Sequence, residues 1–297
     1  MIEPAHEHIQ HPGDDERWSD SLYFNFFSEE GKLAGLTRIG VLANANSVNA
    51  GFVALREGAP FAGMMAIDAE LTSSDWDDFE VQGLRYRMID PLRRWRIDLD
   101  APTGRASLEF QTLAPAFDYS DCPVTLPEEV ASRHYEQHCR VSGWVEPPGG
   151  ARQEVAGFGQ RDHSWGIRDW SGVRSWHWMQ AIFGEDLAFN VFSVERHSGE
   201  TATSGYVHEA GTNKAIARAS LETEYDGDGR SQKAVRLQIE DTDGAEREIT
   251  AERFALLPIS MEGTTVNEGL FRWKLDGREG PGMYEYLFQA GADEKEQ

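Results

Sequence analysis

Short runs rich in aromatic and β-branched residues recur along this chain, closed by Gly, Asp or Asn. That rhythm constrains the fold more than any other feature, because such runs read as strands bounded by turns. They cover residues 22–27, 51–55, 95–99, 106–113, 138–145, 175–183, 187–194, 234–239 and 284–288. Helical periodicity is scarce. The best helical candidate is 127–134, where Pro127, Glu128 and Glu129 suit a first turn. Many short strands with regular turns predict a mainly β barrel or sandwich rather than a parallel α/β sheet.

A faint internal repeat sharpens this expectation. Shifted by 154 positions, Ser21 meets Ser175, Leu33 meets Leu187 and Ala34 meets Ala188. Gly51 then meets Gly205 and Val53 meets Val207, while Phe24 falls on Trp178 and Phe52 on Tyr206. Each copy reads aromatic strand, turn, strand, turn, then Gly-aromatic-Val. The expectation is two similar β-meanders with a seam at 146–150 (EPPGG) or slightly earlier, at 122–129, since Pro and Gly clusters mark such seams.

The chain of 297 residues suffices for two ordinary domains. Its 40% hydrophobic and 27% charged residues suit a globular fold. A net charge of −23 argues against nucleic acid and anionic membrane surfaces, both of which would repel it. No stretch approaches the roughly 20 apolar residues of a membrane span. The start, MIEPAHEHIQ, has neither a basic opening nor an apolar run, so the expected compartment is the cytoplasm, with no membrane insertion. Two cysteines, Cys122 and Cys139, make neither a disulfide framework nor a zinc pattern and read as buried thiols.

Residues 157–170, GFGQRDHSWGIRDW, concentrate the chemistry. Four of the nine tryptophans, Trp165, Trp170, Trp176 and Trp178, lie in or just after this stretch. An Asp beside an Arg is held ionised, whereas burial pushes the other way. A His with a carboxylate partner is kept in one tautomer or kept protonated. Neighbours in a strand point to opposite faces, so Asp162 and His163 share one lumen only across a bulge. Gly157, Gly159 and Gly166 are the residues that would permit one. Whichever of the two enters a cavity is a candidate general acid–base. In 175–183, Trp176, Trp178, Gln180 and Ile182 alternate with His177, Met179, Ala181 and Phe183, and both sets are largely apolar. That pattern predicts a strand covered on both sides, with one face on a lumen, or else a strand in an ordinary sandwich core. Alternatively, Arg161, Asp162 and His163 form a satisfied polar cluster and the tryptophans are plain core.

The motif Gly157-Phe158-Gly159-Gln160-Arg161-Asp162-His163-Ser164-Trp165-Gly166, followed by Arg168 and Trp170, resembles the mid-chain signature of the AttH and hydroxyneurosporene synthase (carotenoid 1,2-hydratase) superfamily. Trp18-Ser19-Asp20-Ser21, Glu136-Gln137 with Gly143, and 276–280 with Glu285-Tyr286 are similar to an uncharacterised bacterial branch of it. The resemblance implies two fused lipocalin-like antiparallel β-barrels, here divided as 1–135 and 136–297. It also implies cofactor-independent hydratase or cyclase chemistry on hydrophobic molecules.

The resulting expectation is a lyase or isomerase, a hydratase-dehydratase or cyclase, that needs no cofactor and no metal. It would act on a terpenoid, steroid or aromatic substrate. Asp162 is the acid or base, His163 its partner and Arg161 the group that tunes them, while Trp165, Trp170, Trp176 and Trp178 line the pocket. The rival is a non-catalytic carrier of a small hydrophobic ligand, which needs the aromatics but not the Asp–His pair. A filled barrel serving only as a structural or interaction module is the third reading. His6, His8 and His11 read as a solvated lead-in, Asp75, Asp77 and Asp78 as an exposed acidic turn, Glu268 and Glu285 as surface carboxylates, and 291–297 as a disordered tail.

Overall fold

The structure, a computed structural model, describes residues 1–10, 13–28, 32–73, 75–261 and 263–289; His11 and the 291–297 tail lie outside them. The chain forms two β-barrels. The first is built from β1 (Trp18–Ser28), β2 (Leu33–Leu42), β3 (Ser47–Arg56), β4 (Ala59–Glu70), β5 (Asp78–Val81), β6 (Leu84–Asp90), β7 (Arg94–Ala101), β8 (Gly104–Thr112), β9 (Phe117–Asp118), β10 (Arg133–Glu146) and β11 (Gln153–Ile167). The second comprises β12 (Val173–Ile182), β13 (Leu187–Arg196), β14 (Thr201–Glu209), β15 (Thr212–Tyr225), β16 (Gln232–Asp241), β17 (Glu246–Met261), β18 (Thr264–Leu275) and β19 (Arg278–Gln289).

In the first unit the strands run β4-β3-β2-β1-β11-β10-β8-β7-β6-β5 in a nearly closed barrel, with β9 beside β10. In the second, β12 to β19 pair in chain order and close into an eight-stranded antiparallel barrel. Both interiors follow the period-2 rule that sends alternate side chains to one face. Leu22, Phe24 and Phe26 enter the first core with Trp76, Trp95 and Phe110. Met179, Ala181 and Phe183 enter the second with Phe189, Phe271 and Trp273. This is the architecture of two fused lipocalin-like barrels.

The repeat at 154 positions maps strand onto strand. Leu33 and Leu187 open β2 and β13, while Ser47 and Thr201 open β3 and β14. The seam lies elsewhere than expected. One unit comprises 1–118 and 131–168, the other 119–130 and 169–297, so the division does not fall at 135/136. The reason is pairing: β10 and β11 are partners of β8 and β1 and belong to the first sheet. EPPGG is the turn joining β10 to β11, closed by Gly150 N–H donating to Pro147 O at 3.1 Å. Residues 119–130 belong to the second unit because Cys122 and Val124 hydrogen-bond to Gly205 and Ser204 of β14.

The predicted helix at 127–134 is absent. Val130 N–H closes one turn onto Pro127 O at 3.1 Å, and β10 begins at Arg133. Arg133, His134 and Tyr135 are claimed by pairing with β11 before a second turn can form. Cys139 is buried, Cys122 half-buried, and both are free thiols. No helix among the described residues is long and apolar enough to cross a membrane.

Candidate functional site

The ladder of β11 with β1 and β10 passes through the motif without a register shift. Leu22 stands opposite His163, Phe24 opposite Arg161, and Tyr23 opposite Asp162. Directly opposed residues of antiparallel strands share a face. Arg161 and His163 therefore point into the first barrel with Leu22 and Phe24, and Asp162 points out. The glycines serve close approach instead of a bulge. A Cβ at Gly159 would lie 2.0 Å from the Asn25 carbonyl oxygen of β1. Gly166 adopts φ +136°, where a Cβ would strike Ser132.

Inside the barrel, Arg161 is fully buried and forms a two-pronged pair with Glu7, Nη1 donating to Oε2 at 2.9 Å and Nη2 to Oε1. Glu7 sits in the single helical turn Pro4–Glu7. Its carboxylate also accepts from the Tyr135 hydroxyl, from Trp95 Nε1 at 2.9 Å and from the Leu92 backbone N–H at 3.1 Å. The rings of Phe24, Trp95 and Tyr135 lie 5.4–5.8 Å from the guanidinium carbon, a cation–π cage. Burial works to raise the Glu7 pKa, but the Arg161 charge and the converging donors outweigh it and hold the carboxyl at about 2.

The same network continues through His163. Tyr135 Oη lies 3.2 Å from Nδ1, and Asp20 Oδ1 lies 2.7 Å from Nε2. Asp20 also accepts from Trp76 Nε1 at 3.0 Å and from Gln10 N–H at 2.7 Å. Trp165 stands beside His163, ring centroids 5.0 Å apart, and stacks on His6 at 6.1 Å. Arg161 and His163 thus belong to a buried polar core.

Asp162 occupies the outer face of the β1–β11–β10 ribbon, opposite Tyr23 and Glu136. Burial raises its carboxyl to about 6, with Glu136 pushing the same way and His134, Arg168 and Arg38 opposing. Beside it, His134 Nε2 lies 3.3 Å from Glu136 Oε1. Burial lowers the His134 pKa to about 4. Arg168 donates to Ser164 Oγ at 3.0 Å and to Ser21 Oγ at 3.2 Å, completing a buried polar surface.

The four tryptophans do not share one cavity. Trp165 lies in the first barrel. Trp170 meets Trp176 edge-on at 5.6 Å, and Trp176 and Trp178 occupy the outer face of β12, with Trp176 Nε1 donating to Glu285 Oε1 at 2.5 Å. The lumen face of β12 carries His177 and Met179, which line a cavity of about 250 Å³ with Val191, Glu195, Leu221 and Leu237. His177 Nδ1 lies 2.9 Å from the Tyr284 hydroxyl, which is 2.6 Å from Thr223 Oγ1. Burial lowers the His177 pKa to about 4. Glu285 is held by an indole and Glu268 is buried, so neither is the surface carboxylate expected. Asp75 is no bare acidic turn: its Oδ1 lies 3.0 Å from His8 Nδ1.

Glu7, Asp20, His134, Tyr135 and Glu136 escaped the choice of site residues. Asp20 and Glu136 lay in the outer fragments of the family-like pattern, a signal that strand pairing with β11 explains. Glu7 carried none.

A family model described as "Domain of unknown function (DUF7064)" matches residues 3–290. The chain belongs to that family. No curated protein matches it. Among solved structures, an AttH-like protein of Nitrosomonas europaea is similar at 14% identity and TM-score 0.68, covering 92% of this chain and 93% of its own. CghA in complex with Sch210972 is similar at 15% identity and TM-score 0.68, covering 92% and 89%. Kievitone hydratase from Nectria haematococca is similar at 11% identity and TM-score 0.66, covering 93% and 90%. The DUF7064 chain therefore has the double-barrel fold of AttH-like proteins.

Proposed function

We propose that this DUF7064 protein is a cofactor-independent lyase or isomerase. It adds or removes water across a double bond, or closes a ring, in a hydrophobic small molecule of terpenoid, steroid or aromatic type. The observation that carries this reading is the pair Asp162 and His134, whose environments push their proton affinities in opposite directions. Asp162 retains its proton up to about pH 6, and His134 stays neutral above about pH 4. An acid and a base thus coexist on one face, the arrangement that proton-transfer catalysis needs. Asp162 delivers the proton and His134 receives one, with Glu136 Oε1 3.3 Å from its Nε2. This moves the partner of Asp162 from His163, on the opposite face, to His134. Kievitone hydratase, which shares the fold, makes kievitone a sensible member of a substrate panel.

The test is turnover. Wild type, Asp162→Asn and His134→Gln are incubated with kievitone, terpenoids, sterols and polyaromatics, and products are read by mass spectrometry as gain or loss of water or as isomers. Turnover that collapses in both variants while tryptophan quenching still reports binding supports the reading. The carrier reading is favoured by the cavity of about 250 Å³ in the second barrel. Equal binding in all three proteins, with no product from any bound compound, would replace the enzyme by the carrier.

A further inference from the structure

We propose that the Glu7 pocket of the first barrel is a carboxylate-binding site filled in cis, and that its external ligand is a small carboxylic acid with an apolar body. The donors make the case. A carboxylate in this pocket meets the two terminal nitrogens of Arg161, the Tyr135 hydroxyl, the Trp95 indole N–H and the Leu92 backbone N–H. Four of these five donors lie on β7, β10 and β11 of the barrel wall, and Leu92 lies in the turn leading into β7. The carboxylate alone is supplied from outside the sheet, by residues 4–10, which pair with no strand.

A planar guanidinium fork beside a hydroxyl and an indole N–H matches a carboxylate and no neutral or cationic group. Arg161 Nε is buried with no partner among the described residues, so Glu7 leaves part of the guanidinium unanswered. The walls around this polar floor are Phe24 and Trp95, and the half-buried Ile9 packs on the same core. A ligand replacing residues 4–10 would therefore bring an acid group with an aromatic or aliphatic body, benzoate being the simplest probe. The segment is held besides by Gln10 N–H on Asp20 and by His8 on Asp75, contacts that open together if it lifts. The inference does not rest on the Asp162 reading: these groups lie on the other face of β11, and the readout is binding, not turnover.

The experiment uses the full chain carrying Glu7→Ala. Thermal unfolding is followed with increasing benzoate, with benzamide as the neutral control. Benzoate is expected to raise the midpoint saturably, by roughly 5 °C at hundredfold saturation. Benzamide is expected to do nothing, and adding Arg161→Met to Glu7→Ala should abolish the benzoate response. If Glu7→Ala does not fold alone, refolding yield is titrated instead: recovery with benzoate and not with benzamide supports the site. A Glu7→Ala protein indifferent to benzoate in both formats, or equally responsive to benzamide, overturns it.

Discussion

Replacing Glu7 by Gln keeps the shape of the side chain and removes its charge, leaving Arg161 buried without its counter-ion. The structure sets the size of the effect. A carboxyl moved from 4.5 to about 2 stabilises the folded state by about 3 kcal/mol at neutral pH, at about 1.4 kcal/mol per tenfold change in proton affinity. The sign follows from the depressed pKa: the contribution is full above pH 4.5 and fades as pH falls toward 2. By the same linkage relation most of it remains at pH 4.5 and less than half at pH 3. This agrees with the roughly 3–5 kcal/mol lost when one partner of a buried ion pair is removed. The assay is urea unfolding of wild type and Glu7→Gln between pH 7 and pH 3, read by tryptophan fluorescence, with the two barrels' transitions fitted separately. The gap between the proteins should narrow with acid. A gap that is constant from pH 7 to pH 3, or below about 1 kcal/mol at neutral pH, would show that Glu7 does not ionise in this pocket as argued.

Turnover should follow a bell-shaped pH profile with limbs near 4 and 6; a flat profile measured as kcat/KM would remove both groups from the chemistry. Gly159→Ala places a methyl against the Asn25 carbonyl and should lower the first barrel's thermal midpoint by several degrees, whereas Gly227→Ala, which meets open space, should change it little in the second barrel. Val191→Phe fills the second-barrel cavity. It should weaken binding of small apolar fluorophores at least tenfold while leaving the Asp162 chemistry intact, as titration alongside turnover would reveal.

Strands and turns were legible because their signals are local. Alternation at 175–183 announced a strand covered on both sides, and the shift of 154 relates β2 and β3 to β13 and β14. Alternation also sent Asp162 and His163 to opposite faces. The domain boundary was illegible because it depends on which distant strand β11 chooses, a non-local matter. His134 and Glu136 became visible only once β10 lay beside β11. Glu7 was hidden for a sharper reason. A lone acid in a polar lead-in looks the same whether it meets water or a guanidinium, and only the fold brings Arg161 to it.

The pairing of β1 with β11 also dictates a timetable. Trp18 waits for Ile167, so during synthesis the first barrel stays open until nearly 150 further residues have been made. Throughout that interval β1 offers one unsatisfied edge, and such edges invite pairing with other chains. The second barrel waits in the same way, since Ser175 of β12 meets Phe288 of β19 only after more than 110 further residues have been made. Nascent chains halted before β11 should therefore depend on chaperones far more than the finished protein does, and the late arrival of Arg161 is the moment at which the N-terminal residues acquire a fixed place.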